Sequence, residues 1–150
     1  MIGFYNPKAS KLPEGYSFEL EKLPILQDLN RLFDRCNEDT YPPGKLALAL
    51  QNSFCNLCVL EDDSEKLVGF VRVTSDKGLN ANLWNLVAEP GRNQEQLISA
   101  LVNFSLGIIR REMPGCSVSI AAPVIALDVL QNQGFLLDPG GIRSMAYRLR

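Results

Sequence analysis

Apolar and polar residues alternate along this chain with a period that changes several times, and each change marks an element. Tyr16-Ser17-Phe18-Glu19-Leu20 alternates strictly, as a strand with one buried face does. After Pro24, the residues Ile25, Leu26, Leu29, Leu32 and Phe33 recur at helical spacing, with Asp28, Arg31 and Asp34 on the other face. Tyr41-Pro42-Pro43-Gly44 breaks the chain, and Lys45 to Ser53 reads as a second helix. Leu57 to Leu60, in an apolar stretch that begins at Phe54, reads as a strand. Glu61-Asp62-Asp63-Ser64-Glu65 reads as a solvated turn and Leu67 to Val73 as the antiparallel partner. Leu79 to Ala88 is the next strand. From about Gln94 to Glu112, Leu97, Leu101, Phe104 and Ile108 lie one helical turn apart, and Pro114-Gly115 stops the helix. Ser117 to Ala121 is a strand, and Val124 to Gln133 a short helix stopped by Gly134. Phe135 to Leu137 begins a final strand pair that ends in Met145 to Leu149. The order predicts one mixed α/β (α+β) domain over residues 16–150. Its central sheet has about seven strands with about four helices, behind an irregular lead-in over residues 1–15.

Composition narrows the chemistry. The chain has 150 residues, a formal net charge of −2 and no basic run, so nothing marks it for nucleic acid or an anionic membrane. No uninterrupted apolar segment approaches the roughly 20 residues that span a bilayer. Met1-Ile2-Gly3-Phe4-Tyr5-Asn6-Pro7-Lys8 lacks the charged start and apolar core of a secretory signal, which predicts a cytoplasmic protein. There is no histidine, so Ser–His and Cys–His relays and histidine-ligated metals are excluded. Cys55-Asn56-Leu57-Cys58 has redox or zinc spacing, but residues three apart on a strand face opposite ways and no second pair completes a metal site. Free, mostly buried thiols and no metal are expected.

The segment from Leu67 to Leu101 carries the chemistry. Strand, turn (Thr74 to Gly78), strand and the short loop Gly91-Arg92-Asn93 lead into the N-terminus of the long helix. Such a terminus presents unpaired N–H groups and the positive end of the helix dipole to a phosphate-bearing ligand.

The residues of this segment and of the C-terminus resemble one family. Thr74-Ser75-Asp76, Asn80-Ala81, Leu83-Trp84-Asn85 and Glu89-Pro90 resemble the TSD…FNATIWD…VDP pattern of a branch of the Gcn5-related N-acetyltransferases. That branch is known from chloroplasts and photosynthetic bacteria. Gly134-Phe135, Asp138-Pro139, Gly141-Ile142 and Met145 resemble its GF…DPEGI…M ending, and the similarity spans roughly residues 40 to 148. The resemblance implies a sheet splayed between the fourth and fifth strands, Leu83–Ala88 and Ser117–Ala121. Acetyl-CoA would lie in that opening as co-substrate. The residues implied to hold it are Leu86, Val87, Ala88, Arg92, Asn93, Gln94, Gln96, Leu97 and Ile98.

Departures fall on functional positions. The family's loop reads Gln/Arg-x-x-Gly-x-Gly/Ala, matched here by Asn93-Gln94-Glu95-Gln96-Leu97-Ile98 without a glycine. A side chain in that loop costs about 1–2 kcal/mol if a left-handed conformation is needed, and Glu95 adds an unfavourable carboxylate; weakened cofactor binding is expected. Asn82 falls at the position of the family's usual base, Trp84-Asn85 replaces a Trp-Asp pair, and Leu130 falls where a tyrosine often acts as the acid. Asp76 and Glu89 remain as candidate catalytic groups that orient a water. Thr74, Ser75, Asn82, Trp84 and Asn85 are the candidate substrate-binding residues. Plain alternatives stand beside them: strand packing for Trp84, turn formation for Asp76, capping for Glu89. Two functions follow from the resemblance. One is direct acetyl transfer from acetyl-CoA to a small amine or a protein amino group. The other is a catalytically degenerate member that serves as a CoA or ligand sensor or an interaction module. Self-association into a homodimer stays open.

Overall fold

A computed structural model describes residues 11–149; the first ten residues of the expected lead-in, and Arg150, lie outside that range. Strand β1 (Tyr16–Glu19) is followed by α1 (Leu26–Arg35), α2 (Pro43–Gln51), β2 (Cys55–Glu61), β3 (Leu67–Ser75) and β4 (Asn80–Ala88). Helix α3 (Gln94–Glu112), β5 (Ser117–Ile120) and α4 (Leu127–Asn132) complete the regular elements, with 3-10 turns at Val124–Ala126 and Pro139–Gly141. Pro43 occupies the first turn of α2, where its missing N–H has no partner to lose. The five strands form one sheet in chain order, antiparallel from β1 to β4 and parallel from β4 to β5.

Alternation along the strands builds two layers. Leu57, Val59, Val71, Val73, Ala81 and Leu83 face α3 and α4 in the larger core. Cys58, Leu67, Phe70 and Val87 face the other way, against Leu29, Leu32 and Phe33 of α1 and Leu46 and Leu50 of α2. Helix α3 comes so close to the sheet at Gly69 that an added Cβ would sit 3.1 Å from Leu101 Cδ1 and 3.2 Å from Val59 Cβ. A side chain there would force Leu101 and Val59 to give by a few tenths of an ångström, so glycine suits the close approach of the two layers.

Among the described residues the expected final strand pair does not form, and the sheet has five strands rather than about seven. Met145, Tyr147 and Leu149 do alternate, but each is highly exposed and no strand among the described residues pairs with them. Asp138, Gly140 and Gly141 all take positive φ around Pro139, which curls the chain where a hairpin would need extended residues.

Two irregularities in β4 shape the region where a ligand would lie. Phe70 pairs with Val87 but Arg72 pairs with Trp84, so β4 carries one residue more than β3 over this stretch. Asn85 accommodates the bulge at φ 55, a left-handed conformation that asparagine tolerates better than most residues. On the other side, β4 and β5 pair only from Asn80↔Ser117 to Leu83↔Ile120. β5 then ends while β4 runs on to Ala88.

Candidate active site

The gap beyond Leu83 exposes one edge of β4. Glu89 N–H donates to Val68 O at 2.8 Å, so the Gly69–Ala88 pair is of the non-hydrogen-bonded kind and Ala88 directs its own amide groups away from β3. Its carbonyl is nevertheless engaged. Gln94 Nε2 donates to it at 3.0 Å and Cys36 Sγ at 3.2 Å. Burial pushes the Cys36 thiol up to about 11, with a smaller opposing pull from Arg35, so this sulfur is a neutral donor.

The N-terminus of α3 closes the far end of the gap. Gln94 N–H bonds to Gly91 O at 3.2 Å, and Leu97 N–H begins the helical ladder at Asn93 O, 2.9 Å away. Between them, the N–H groups of Glu95 and Gln96 have no acceptor among the described residues. Leu97 and Ile98, expected at the cofactor, have side chains buried in the core, and both residues lie beyond the helix's free amides. The loop also needs no left-handed residue after Gly91, since Gln94 to Ile98 are helical. The expected left-handed cost therefore does not apply, and close approach is all that a glycine would add. Arg92, Gln94 and Glu95 line a cleft of about 250 Å³ with Ile125, Asp128 and Val129. Asn93 Nδ2 donates to Tyr16 Oη at 3.2 Å and Gln96 Nε2 to Lys11 O at 3.1 Å, so these two side chains turn away toward the N-terminal segment.

A polar face covers the opposite side of the sheet, beyond the reach of α1 and α2. Trp84, 40% exposed, donates from Nε1 to Thr74 Oγ1 at 2.9 Å. Asn85 Oδ1 accepts from Arg72 Nε at 2.7 Å, and Asn85 Nδ2 donates to Tyr41 Oη at 3.3 Å. Asn82 Oδ1 accepts from Ser119 Oγ across the β4–β5 pairing. The structure thus brings Thr74, Asn82, Trp84 and Asn85 together. It adds Tyr41 and Arg72, which the residue pattern presented only as a loop break and a strand position. Ser75 is set apart: its hydroxyl donates to Asn80 O and accepts from Lys77 N–H, as part of the β3–β4 turn.

The two candidate catalytic carboxylates are not brought together. Asp76 Oδ1 accepts from the N–H groups of Gly78, Leu79 and Asn80 at 2.9, 2.8 and 3.2 Å. These bonds hold its pKa below the usual carboxylate range, which makes it a turn residue and a poor base. Glu89 lies 3.0 Å from Arg35 Nε and 2.6 Å from Lys66 Nζ, tying α1 to the β3–β4 hairpin. The register puts the two at opposite ends of that hairpin, roughly 25 Å apart at about 3.3 Å per residue. Leu130, at the expected acid position, is buried in the main core. Cys55 and Cys58 pack on opposite faces, and burial pushes their thiols up to about 11 and about 12.

Comparison with known proteins decides the family. An uncharacterized N-acetyltransferase, ycf52, of Pyropia yezoensis is 30% identical over 122 residues, covering 80% of this chain and 70% of the relative. The chain belongs to the Gcn5-related N-acetyltransferase superfamily, in its chloroplast and photosynthetic branch. Within this superfamily, a GCN5-related N-acetyltransferase 2, chloroplastic, of Arabidopsis thaliana is 31% identical over 136 residues, covering 79% of this chain and 52% of the relative. The chain therefore spans between 52% and 70% of the length of these two N-acetyltransferases. A probable acetyltransferase of unknown function from meticillin-resistant Staphylococcus aureus shares the fold, with a TM-score of 0.77 at 16% identity, covering 89% of this chain and all of the other. No protein-family model matches the chain.

Proposed function

We propose that this chain transfers the acetyl group of acetyl-CoA to an amine held on the polar face around Trp84 and Asn85. The observation that carries the reading is the parting of β4 and β5 after Leu83, with the free amides of α3 at one end and the Asn85 bulge beside it. An acetyl-CoA molecule supplies an acyl carbon already activated as a thioester. The exposed amide groups of β4 offer pantetheine a strand edge, and the N–H groups of Glu95 and Gln96 with the Arg92 guanidinium offer its diphosphate donors. Glu95 and Asp128 oppose that anion, so binding is expected to be weak for this superfamily.

In the transfer, the amine lone pair forms the new C–N bond and the C–S bond breaks; the amine loses a proton and the sulfur takes one up. Asp76 and Glu89 are committed to the turn and to the ion pairs, so the amine's proton goes to water. Catalysis then rests on positioning by Asn82, Trp84, Asn85 and Tyr41, which suits an acyl group that needs only a neutral nucleophile at its carbonyl. The acceptor is a small amine or a protein amino group. Among the described residues no helix is long and apolar enough to cross a membrane. A reducing compartment, the cytoplasm as expected or the interior of a plastid as for the Arabidopsis relative, suits four free thiols.

One observation favours the degenerate reading instead: both carboxylates available as bases are structurally engaged. Calorimetric titration with acetyl-CoA tests the donor site under either reading. Binding should be measurable and should weaken roughly threefold to tenfold in Arg92→Ala. No heat at millimolar acetyl-CoA would remove the proposed donor site.

A further inference from the structure

Arg72 carries a charge that no carboxylate balances among the described residues. It projects from β3 onto the polar face, half-buried, and burial lowers its pKa, partly offset by Tyr41. Its Nε donates to Asn85 Oδ1 at 2.7 Å and its Nη1 lies 3.5 Å from Ser53 Oγ, while the guanidinium stands 5.9 Å from the centre of the Trp84 ring. Every one of these partners is neutral. No carboxylate pairs with Arg72 among the described residues, and its Nη2 has no partner among them. Buried cations are ordinarily matched by an anion because desolvation penalises an unpaired charge.

Holding Asn85 in its bulge does not account for the arginine, since that contact uses one N–H and no charge. What remains is a planar fork with free donors, fixed by Asn85 and stacked near Trp84, on the face proposed to hold the acceptor. Such a fork matches the geometry of a carboxylate or phosphate. It also disfavours a purely cationic ligand close to it. Tyr41, in the α1–α2 connection, reaches the same spot through its contact with Asn85.

We infer that the acceptor is a small amine bearing an anionic oxygen group, a carboxylate or a phosphate, which Arg72 holds while the nitrogen faces the β4–β5 opening. The inference rests on the transferase reading and names its substrate class.

Matched pairs test it: β-alanine against 3-aminopropanol for a carboxylate, and O-phosphoethanolamine against ethanolamine for a phosphate. The wild-type protein should acetylate the anionic member of at least one pair with kcat/KM about tenfold higher or more, and the responding pair identifies the anion. Arg72→Gln should reduce that ratio to within about twofold, and Arg72→Lys should keep part of it. Equal or better use of the neutral members by the wild type overturns the inference while leaving the transferase intact, and needs no variant to fold. A ratio unchanged in Arg72→Gln overturns it as well. If no amine is acetylated, the transferase reading fails, and calorimetry with the same four compounds decides the anion site. Tighter binding of an anionic member to the wild type than to Arg72→Gln upholds it; equal binding or none overturns it.

Discussion

The side-chain amide of Gln94 donates to the carbonyl of Ala88 at 3.0 Å, the same carbonyl that accepts from Cys36 Sγ at 3.2 Å. A carbonyl has two lone pairs, so these contacts saturate the one acceptor at this end of β4 that a pantetheine amide would otherwise meet. Gln94→Ala should therefore tighten acetyl-CoA binding by roughly twofold to tenfold, the equivalent of one neutral hydrogen bond, while lowering fold stability by about 1 kcal/mol. Calorimetry and urea unfolding measure the two effects. Weaker binding in the variant would mean that Gln94 itself holds the cofactor.

Glu89 is read as a structural tie. Removing its charge in Glu89→Gln loosens the link between Arg35 of α1 and Lys66 beside β3, at a cost of about 1 kcal/mol given the partial exposure of all three side chains. Urea denaturation at low and high salt should show the loss shrinking as salt screens the wild-type pairs. A fall in kcat of several orders of magnitude at unchanged stability would instead restore Glu89 as a catalytic group.

Asp76 makes an acid-dependent contribution. Its pKa is lowered in the folded chain, so its stabilisation is fully present above the unfolded value of about 3.9 and is lost as pH falls through the lower folded value. Asp76→Ala should destabilise the β3–β4 turn near neutrality. Its deficit relative to the wild type should narrow below about pH 4. Denaturation curves at about pH 7 and about pH 3 measure the difference; a deficit of the same size at both would mean that the carboxylate's charge plays no part.

The order of elements from β1 to α4 was legible because burial imposed a clear period on each. The alternation of Val71-Arg72-Val73-Thr74 and the spacing of Leu97, Leu101, Phe104 and Ile108 each specify one inward face, although Phe104, at the margin of its row, stays 38% exposed beside Phe18. The C-terminal alternation at Met145, Tyr147 and Leu149 misled, because alternation requires a partner edge to become a strand and supplies none itself. At the site, Trp84, Asn82 and Asn85 were legible from residue type and position. Tyr41 and Arg72 were not, because their contact with Asn85 depends on a one-residue bulge that no residue pattern announces. Asp76 and Glu89 had the right chemistry for catalysis, but only the structure shows them at opposite ends of a hairpin, with one oxygen of each engaged, Asp76 Oδ1 by turn amides and Glu89 Oε1 by Arg35 and Lys66.

The central claim is acetyl transfer to an amine without a tuned base, and the pH dependence of amine-dependent thiol release from acetyl-CoA tests it most directly. With the amine's proton passing to water, kcat/KM should rise about tenfold per pH unit and level off only at the amine's own pKa. Amines of different basicity should shift the break accordingly. A plateau near pH 7 that stays put whichever amine is used would reveal a general base in the chain, and no amine-dependent thiol release at any pH would contradict the transferase account.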